Sequence, residues 1–139
     1  MHYTPEHAEL ANSMLSDTLM ARLGIVYHVD AEGRMCATMP VDARTHQPMG
    51  LLHGGATAAL AESLGSVASA LLLDHATHTV VGLELNVNHL KGVRSGRVTA
   101  TGELVHQGRT THVWDIKVRN DDGVLCAVCR LTNLVIERR

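Results

Sequence analysis

Gly54-Gly55-Ala56-Thr57-Ala58-Ala59-Leu60-Ala61-Glu62-Ser63-Leu64-Gly65-Ser66-Val67-Ala68-Ser69-Ala70-Leu71-Leu72-Leu73 is a run of small and apolar side chains carrying a single charge. Being apolar nearly all round, it is expected to form a helix buried within a domain rather than laid on its surface. Its Ala, Gly and Ser positions would let a sheet or a second helix approach closely. Downstream lie four strand-like runs, 79–90, 94–107, 110–120 and 124–137, separated by turn signals at Gly92, Gly108 and Asp121-Asp122-Gly123. Val81, Leu83, Leu85 and Val87 alternate with other residues, as do Trp114, Ile116 and Val118. Upstream, Ala31-Glu32-Gly33 is a hairpin signal between strands 24–30 and 34–41. Residues 42–52 hold Pro48 and Gly50, show no period and read as a loop. Leu10, Met14 and Leu15 recur at helical spacing behind Thr4-Pro5-Glu6, so a first helix is expected over 5–21. Strands joined by short turns are mostly antiparallel. The pattern therefore describes one α+β domain over 1–139, an antiparallel sheet of about six strands wrapped around a long central helix.

Composition narrows the function. Hydrophobic residues are 45% and charged ones 19% of the 139, which excludes a disordered acidic or basic tail. A net charge of -2, with aromatics at 2% and no Phe, gives neither an electrostatic footprint nor stacking platforms for nucleic acid. No secretory leader pattern and no long uninterrupted apolar run is present, and the Cys count of 3 suits reduced thiols, so a cytoplasmic location is expected and no membrane. Cys126 and Cys129 form a CxxC inside a strand, where a spacing of three puts them on opposite faces, against chelation or redox pairing. Ten His invite a metal, but no HExxH or comparable ligand spacing exists, and none is expected. There is also no GxGxxG and no GxSxG.

Glu62 is the residue that the buried helix does not explain. A carboxylate among Ala58, Ala59, Leu60, Ala61, Leu64 and Val67 costs several kcal/mol unless it is paired, hydrogen-bonded or neutralised. It either emerges on an exposed stripe, pairs structurally with an Arg, or does chemistry. Ser63 and Ser66 bring hydroxyls on or near its face, which makes a polar microsite. At the helix start, His53-Gly54-Gly55 presents free N–H groups and partial positive charge, with no Cβ to keep a ligand away. That is either ordinary helix-start chemistry or an oxyanion hole for a carbonyl that turns negative in its transition state. Gly54 and Glu62 are eight residues apart, about 12 Å along the axis at ~1.5 Å per residue. If both act on one bond, Glu62 must come from a second subunit with an antiparallel helix, which means a two-fold dimer with two sites at its interface.

Gln47-Pro48-Met49-Gly50-Leu51-Leu52-His53-Gly54-Gly55, followed by Ala61-Glu62-Ser63-Leu64-Gly65-Ser66, resembles the hot-dog thioesterases of the 4-hydroxybenzoyl-CoA thioesterase type. The likeness runs nearly end to end, through Met39-Pro40-Val41-Asp42, Val81-Gly82-Leu83-Glu84-Leu85-Asn86 and Asn88-His89. It implies a hot-dog fold and hydrolysis of an aromatic or hydroxyaromatic acyl-CoA, or of an acyl-carrier-protein thioester, with a medium-chain fatty acyl group as runner-up. It implies Glu62 as nucleophile or as base on water, and Gly54 or Gly55 as backbone donor to the thioester oxygen. Gln47 and His53 would orient that carbonyl and the leaving thiol, and Ser66 would position the acyl carbonyl or water. His89, Lys91, Arg109 and Thr110 match contacts to the CoA nucleotide. No cofactor is implied, coenzyme A being part of the substrate, and the assembly would be a homodimer pairing into a homotetramer. Two departures stand out: Lys91, which holds phosphate as a point charge, stands where relatives often carry Arg, and the aromatic that relatives have near the pocket is missing, which touches substrate choice. A non-catalytic acyl-CoA-binding module would share the fold. A hot-dog hydratase would need a His/acid pair on the acyl β-carbon, which a Glu eight residues after the Gly argues against.

Overall fold

The computed structural model describes residues 2–139. Helix α1 (Pro5–Ser13) starts behind Thr4, whose N–H donates to His7 Nδ1 at 3.0 Å. The single helix expected over 5–21 is two: α2 (Leu19–Leu23) is a separate turn capped by Thr18 and closed by Gly24 at φ 71°. Asn12, in the last turn of the first, bonds both backbone groups of Tyr27 at 2.8 Å each and ties the helix to the following strand, while Asp17 turns the chain at φ 59°. A left-handed residue cannot continue a right-handed helix, so a second one has to start beyond it.

The strands are β1 (Val26–Val29), β2 (Met35–Pro40), β3 (His78–His89), β4 (Arg97–Gln107), β5 (Thr111–Asn120) and β6 (Leu125–Glu137), with α3 (Gly54–Ala70) between β2 and β3. They form one antiparallel sheet in the order β1-β2-β4-β5-β6-β3, so β3 is an edge. α3 lies on one face of this sheet. Leu60, Ala61, Leu64 and Ala68 are fully buried there with Met39, Val98, Trp114, Ile116 and Leu131. Gly65 makes the approach possible: a Cβ on it would stand 2.5 Å from Leu131 Cδ2 and 3.3 Å from Ile116 Cδ1.

Two expectations are corrected. α3 is buried on its sheet side only; Gly55 and Glu62 are exposed, and Ala58, Ala59, Ser63, Ser66, Val67 and Ala70 are half-buried. Small side chains supply too little bulk to reveal from sequence which face the sheet takes. The alternation of Val81, Leu83, Leu85 and Val87 is also broken. β3 carries a bulge between Gly82 and Glu84, where Gly82 pairs with Asn133 and Glu84 with Thr132. An extra residue reverses the facing of everything beyond it. Leu85 and Val87 pack on the core, while Val81 and Leu83 are 46% and 60% exposed.

Candidate active site

The loop before α3 is tied down at several points. Thr45 is buried and donates its hydroxyl to Pro40 O (2.7 Å), His53 N–H donates to Thr45 O (2.8 Å), and Leu52 N–H donates to Val93 O (2.8 Å). His53 is thereby held as the N-cap of α3, and its Nδ1 accepts the Gly55 N–H at 2.7 Å. The two glycines thus differ. Gly55 uses its N–H in the cap, whereas Gly54 N–H has no acceptor among the described residues. Because Nδ1 accepts, a neutral His53 carries its proton on Nε2. Gly54 faces His89, whose Nε2 would lie 2.9 Å from a Cβ placed there. A cavity of about 370 Å³ opens at this helix end, lined by Gln47, Leu51, Gly54, Thr57, His89 and Lys91 among others. Gln47, Gly54, His89 and Lys91, separately inferred from sequence, therefore share one wall-to-wall space.

Glu62 lies two turns on, exposed on the outer side of α3, so the buried carboxylate expected from sequence is not what the single chain presents. Its carboxylate rests against Gly82 of β3, in the space a side chain there would fill. Ser66, one turn further, donates toward Asn133 Oδ1 at 3.5 Å. Asn133 is wholly buried, and its Nδ2 donates to Gly65 O (3.1 Å) and Ser69 Oγ (2.9 Å). Ser69 Oγ also accepts the Trp114 Nε1–H at 2.7 Å. This polar spine fixes the back of α3 behind Ser66. Neither Gly82 nor Asn133 was singled out in the sequence, although a polar residue at an inward strand position was available as a signal.

The residues matched to the nucleotide divide into two groups. Leu90 and Lys91 N–H both bond Cys126 O, whereas Thr110 O accepts from Val135 N–H. Those anchor points are nine residues apart on β6, about 30 Å at ~3.3 Å per residue. Within one chain, His89 and Lys91 are at one end of the sheet and Arg109 and Thr110 at the other.

An antiparallel six-stranded sheet carrying one long helix, with an open glycine N–H at the helix start and a carboxylate two turns on, defines a hot-dog domain. The sequence profile of the thioesterase superfamily matches residues 49–127, and the chain belongs to that superfamily. It is a thioester hydrolase. The proofreading thioesterase EntH of Klebsiella pneumoniae is 47% identical over 125 residues, 90% of either chain. A crystal structure of a mutant of thioesterase PA1618 from Pseudomonas aeruginosa superposes with a TM-score of 0.91 at 50% identity, covering 94% of both chains. The BH2602 protein of Bacillus halodurans, crystallised with CoA, superposes at 0.82 with 25% identity, covering 95% of this chain and 88% of that one.

Proposed function

We propose that the protein hydrolyses acyl-CoA thioesters with an aromatic or hydroxyaromatic acyl group, at two sites shared across a dimer. The observation that carries this reading is the separation of its parts: the free Gly54 N–H opens on the Gln47 cavity, while Glu62 stands about 12 Å along the same helix. Gly54 lies against His89 and Glu62 against Gly82, so each half of the chemistry is seated at a different point of β3. β3 is a twelve-residue edge with Val81 and Leu83 exposed, and a bare strand of that length is ordinarily covered. Pairing it antiparallel with its own copy about a two-fold near Leu85–Asn86 sets His89 of one chain beside Gly82 of the other. Each Glu62 then meets the partner's Gly54. The same pairing brings one chain's Arg109 and Thr110 to the sheet end that holds the other's His89 and Lys91. They are then about three strand spacings apart, ~15 Å, a span that an extended CoA covers.

In this arrangement the thioester oxygen accepts the Gly54 N–H, at the positive end of the α3 dipole, with Gln47 and His53 orienting the carbonyl and the departing thiol. The Glu62 carboxylate attacks the carbonyl carbon, or takes a proton from a water that does. The carbonyl electron pair moves onto the oxygen facing Gly54, then returns to expel the CoA sulfur, which leaves as the thiol with a proton taken from water or from the protonated Glu62. Where Glu62 is the nucleophile, a water then attacks the acyl–Glu62 anhydride, releasing the acid and restoring the carboxylate. Donors fixed on developing negative charge need no reorganisation during reaction. Ser66, braced through Asn133, holds the acyl carbonyl or the water. The resemblance of the Gln47–Gly55 and Ala61–Ser66 stretches to the 4-hydroxybenzoyl-CoA thioesterase type supports an aryl substrate, and the CoA crystallised with the Bacillus halodurans relative supports a CoA ester.

Complementation tests the shared site. Gly54→Pro removes the donor N–H at the first helical position, where proline is tolerated, and His53 already has the extended backbone (φ -67°, ψ 130°) that a following proline requires. Gly54→Pro and Glu62→Ala homodimers should both be inactive. A heterodimer of the two carries both lesions in one site and neither in the other, so about half of the activity per dimer should return by that counting. Subunits that exchange without any return of activity would disprove the arrangement.

A further inference from the structure

We infer that Gly82 is a positioning residue for Glu62, seating its carboxylate directly on the backbone of β3. This rests on the proposal that Glu62 performs the hydrolysis, and adds to it how the acid is aimed. Glu62 is the only acidic residue of α3, and it projects from the helix over an edge strand. A Cβ on Gly82 would overlap Glu62 Oε1 and stand 3.3 Å from Cδ and 3.9 Å from Cγ, so it would occupy the carboxylate's own place. Backbone torsion does not demand glycine at this position, because Gly82 is not among the glycines at positive φ. The closest neighbours of that Cβ are not core side chains either: the three nearest heavy atoms all belong to Glu62.

The bulge completes the seat. Gly82 is paired with the inward-facing, buried Asn133, and the extra residue Leu83 is what allows both Gly82 and Leu85 to face α3. Bulges re-aim side chains beside functional sites. Here the bulge delivers an inward strand position without a side chain, opposite the one acid of the helix. A larger residue at 82 would meet the flexible end of an exposed side chain, so the strand has nothing rigid to yield and folding is spared. What moves is the carboxylate.

Gly82→Ala tests this. An interior strand glycine weakens the strand, so alanine should leave the melting temperature unchanged or raised. A carboxylate displaced by about 1 Å should lose on the order of 10–10²-fold in kcat with KM little changed. Glu62→Asp withdraws the acid by one methylene and relieves the overlap, so in the Gly82→Ala background it should cost at least about threefold less than in the wild type, outside the range in which independent sites add. A Gly82→Ala enzyme with wild-type kcat overturns the inference, as does a kcat loss accompanied by lower melting temperature and strict additivity with Glu62→Asp. Glu62→Ala separates the two levels. If that variant is inactive while Gly82→Ala is fully active, only the seating is wrong; if Glu62→Ala is itself active, the acid's role falls.

Discussion

The two sides of α3 are built from nearly the same residues and do opposite work. Its sheet side, Leu60, Ala61, Leu64, Gly65 and Ala68, is sealed against Ile116, Trp114 and Leu131. Its outer side is not sealed in the single chain: Gly55 and Glu62 are exposed, and Ala59, Ser63 and Ser66 are half-buried. One glycine serves each side differently: Gly65 lets leucine and isoleucine press against the helix, while Gly54 leaves a backbone N–H and a cavity accessible. Stability and chemistry are therefore separated by a rotation of roughly half a turn about one axis, and substitutions on the two sides should be separable as well.

The largest effect is expected on the outer side. Glu62→Gln should lower kcat by about 10²–10⁴-fold, the range for removing a well-placed acid or base. Folding stability should be held or raised, because carboxylates kept for chemistry ordinarily cost stability. Steady-state hydrolysis of an aryl-CoA beside a thermal melt measures both. A variant retaining kcat within a few-fold would remove the chemistry from this face and erase the contrast.

On the sheet side the expectation reverses. Leu64 is fully buried, and Leu64→Ala should cost about 2–5 kcal/mol of stability, since deleted methyl groups leave a cavity that relaxes only in part. The fraction still folded should turn over close to the wild-type rate, because Leu64 faces away from Glu62 and from the Gln47 cavity. Denaturant melts and activity corrected for folded protein check this. A kcat that collapses while stability holds would show the two sides to be coupled.

The helix, the six strands and the meeting of Gln47 with Gly54 at the helix start were legible because each depends on chain-local pattern: small apolar composition, alternation, turn glycines and motif spacing. What stayed hidden depends on contacts between distant segments. Val81, Leu83, Leu85 and Val87 look like an unbroken alternation, and only the register against β6 reveals the bulge beneath Glu62. Residues 5–21 hold apolar positions at helical spacing, yet Asn12 bonds β1 and Asp17 turns the chain, leaving Leu10 and Met14 about half exposed. The exposure of Glu62 was one of three open readings and could not be chosen from sequence, because an all-small helix does not announce which side the sheet will choose. The uneven roles of Gly54 and Gly55 depend on one rotamer of His53.

The smallest expected effect belongs to a group on the sheet side that titrates. His112 is buried on β5, paired in register with Asn133, and its Nδ1 has no partner among the described residues. Burial, reinforced by the nearby His106, holds its pKa below that of a free imidazole, about 6.5. The folded protein therefore resists the proton that the unfolded chain accepts. Above about pH 6.5 both states are neutral at this position and nothing is lost. As the pH falls below that value the unfolded chain binds the proton first, and stability declines until the folded-state pKa is passed. One group can contribute a slope of at most about 1.4 kcal/mol per pH unit in that window. His112→Gln cannot titrate, so its stability measured by denaturant melts from pH 7.5 down to 5 should fall less steeply than that of the wild type, whatever the offset between the curves. Histidines away from position 112 are present in both proteins and cancel in the comparison. Parallel curves would mean that the imidazole is hydrated in the folded state, and that the sealed side of α3 admits water at its far end.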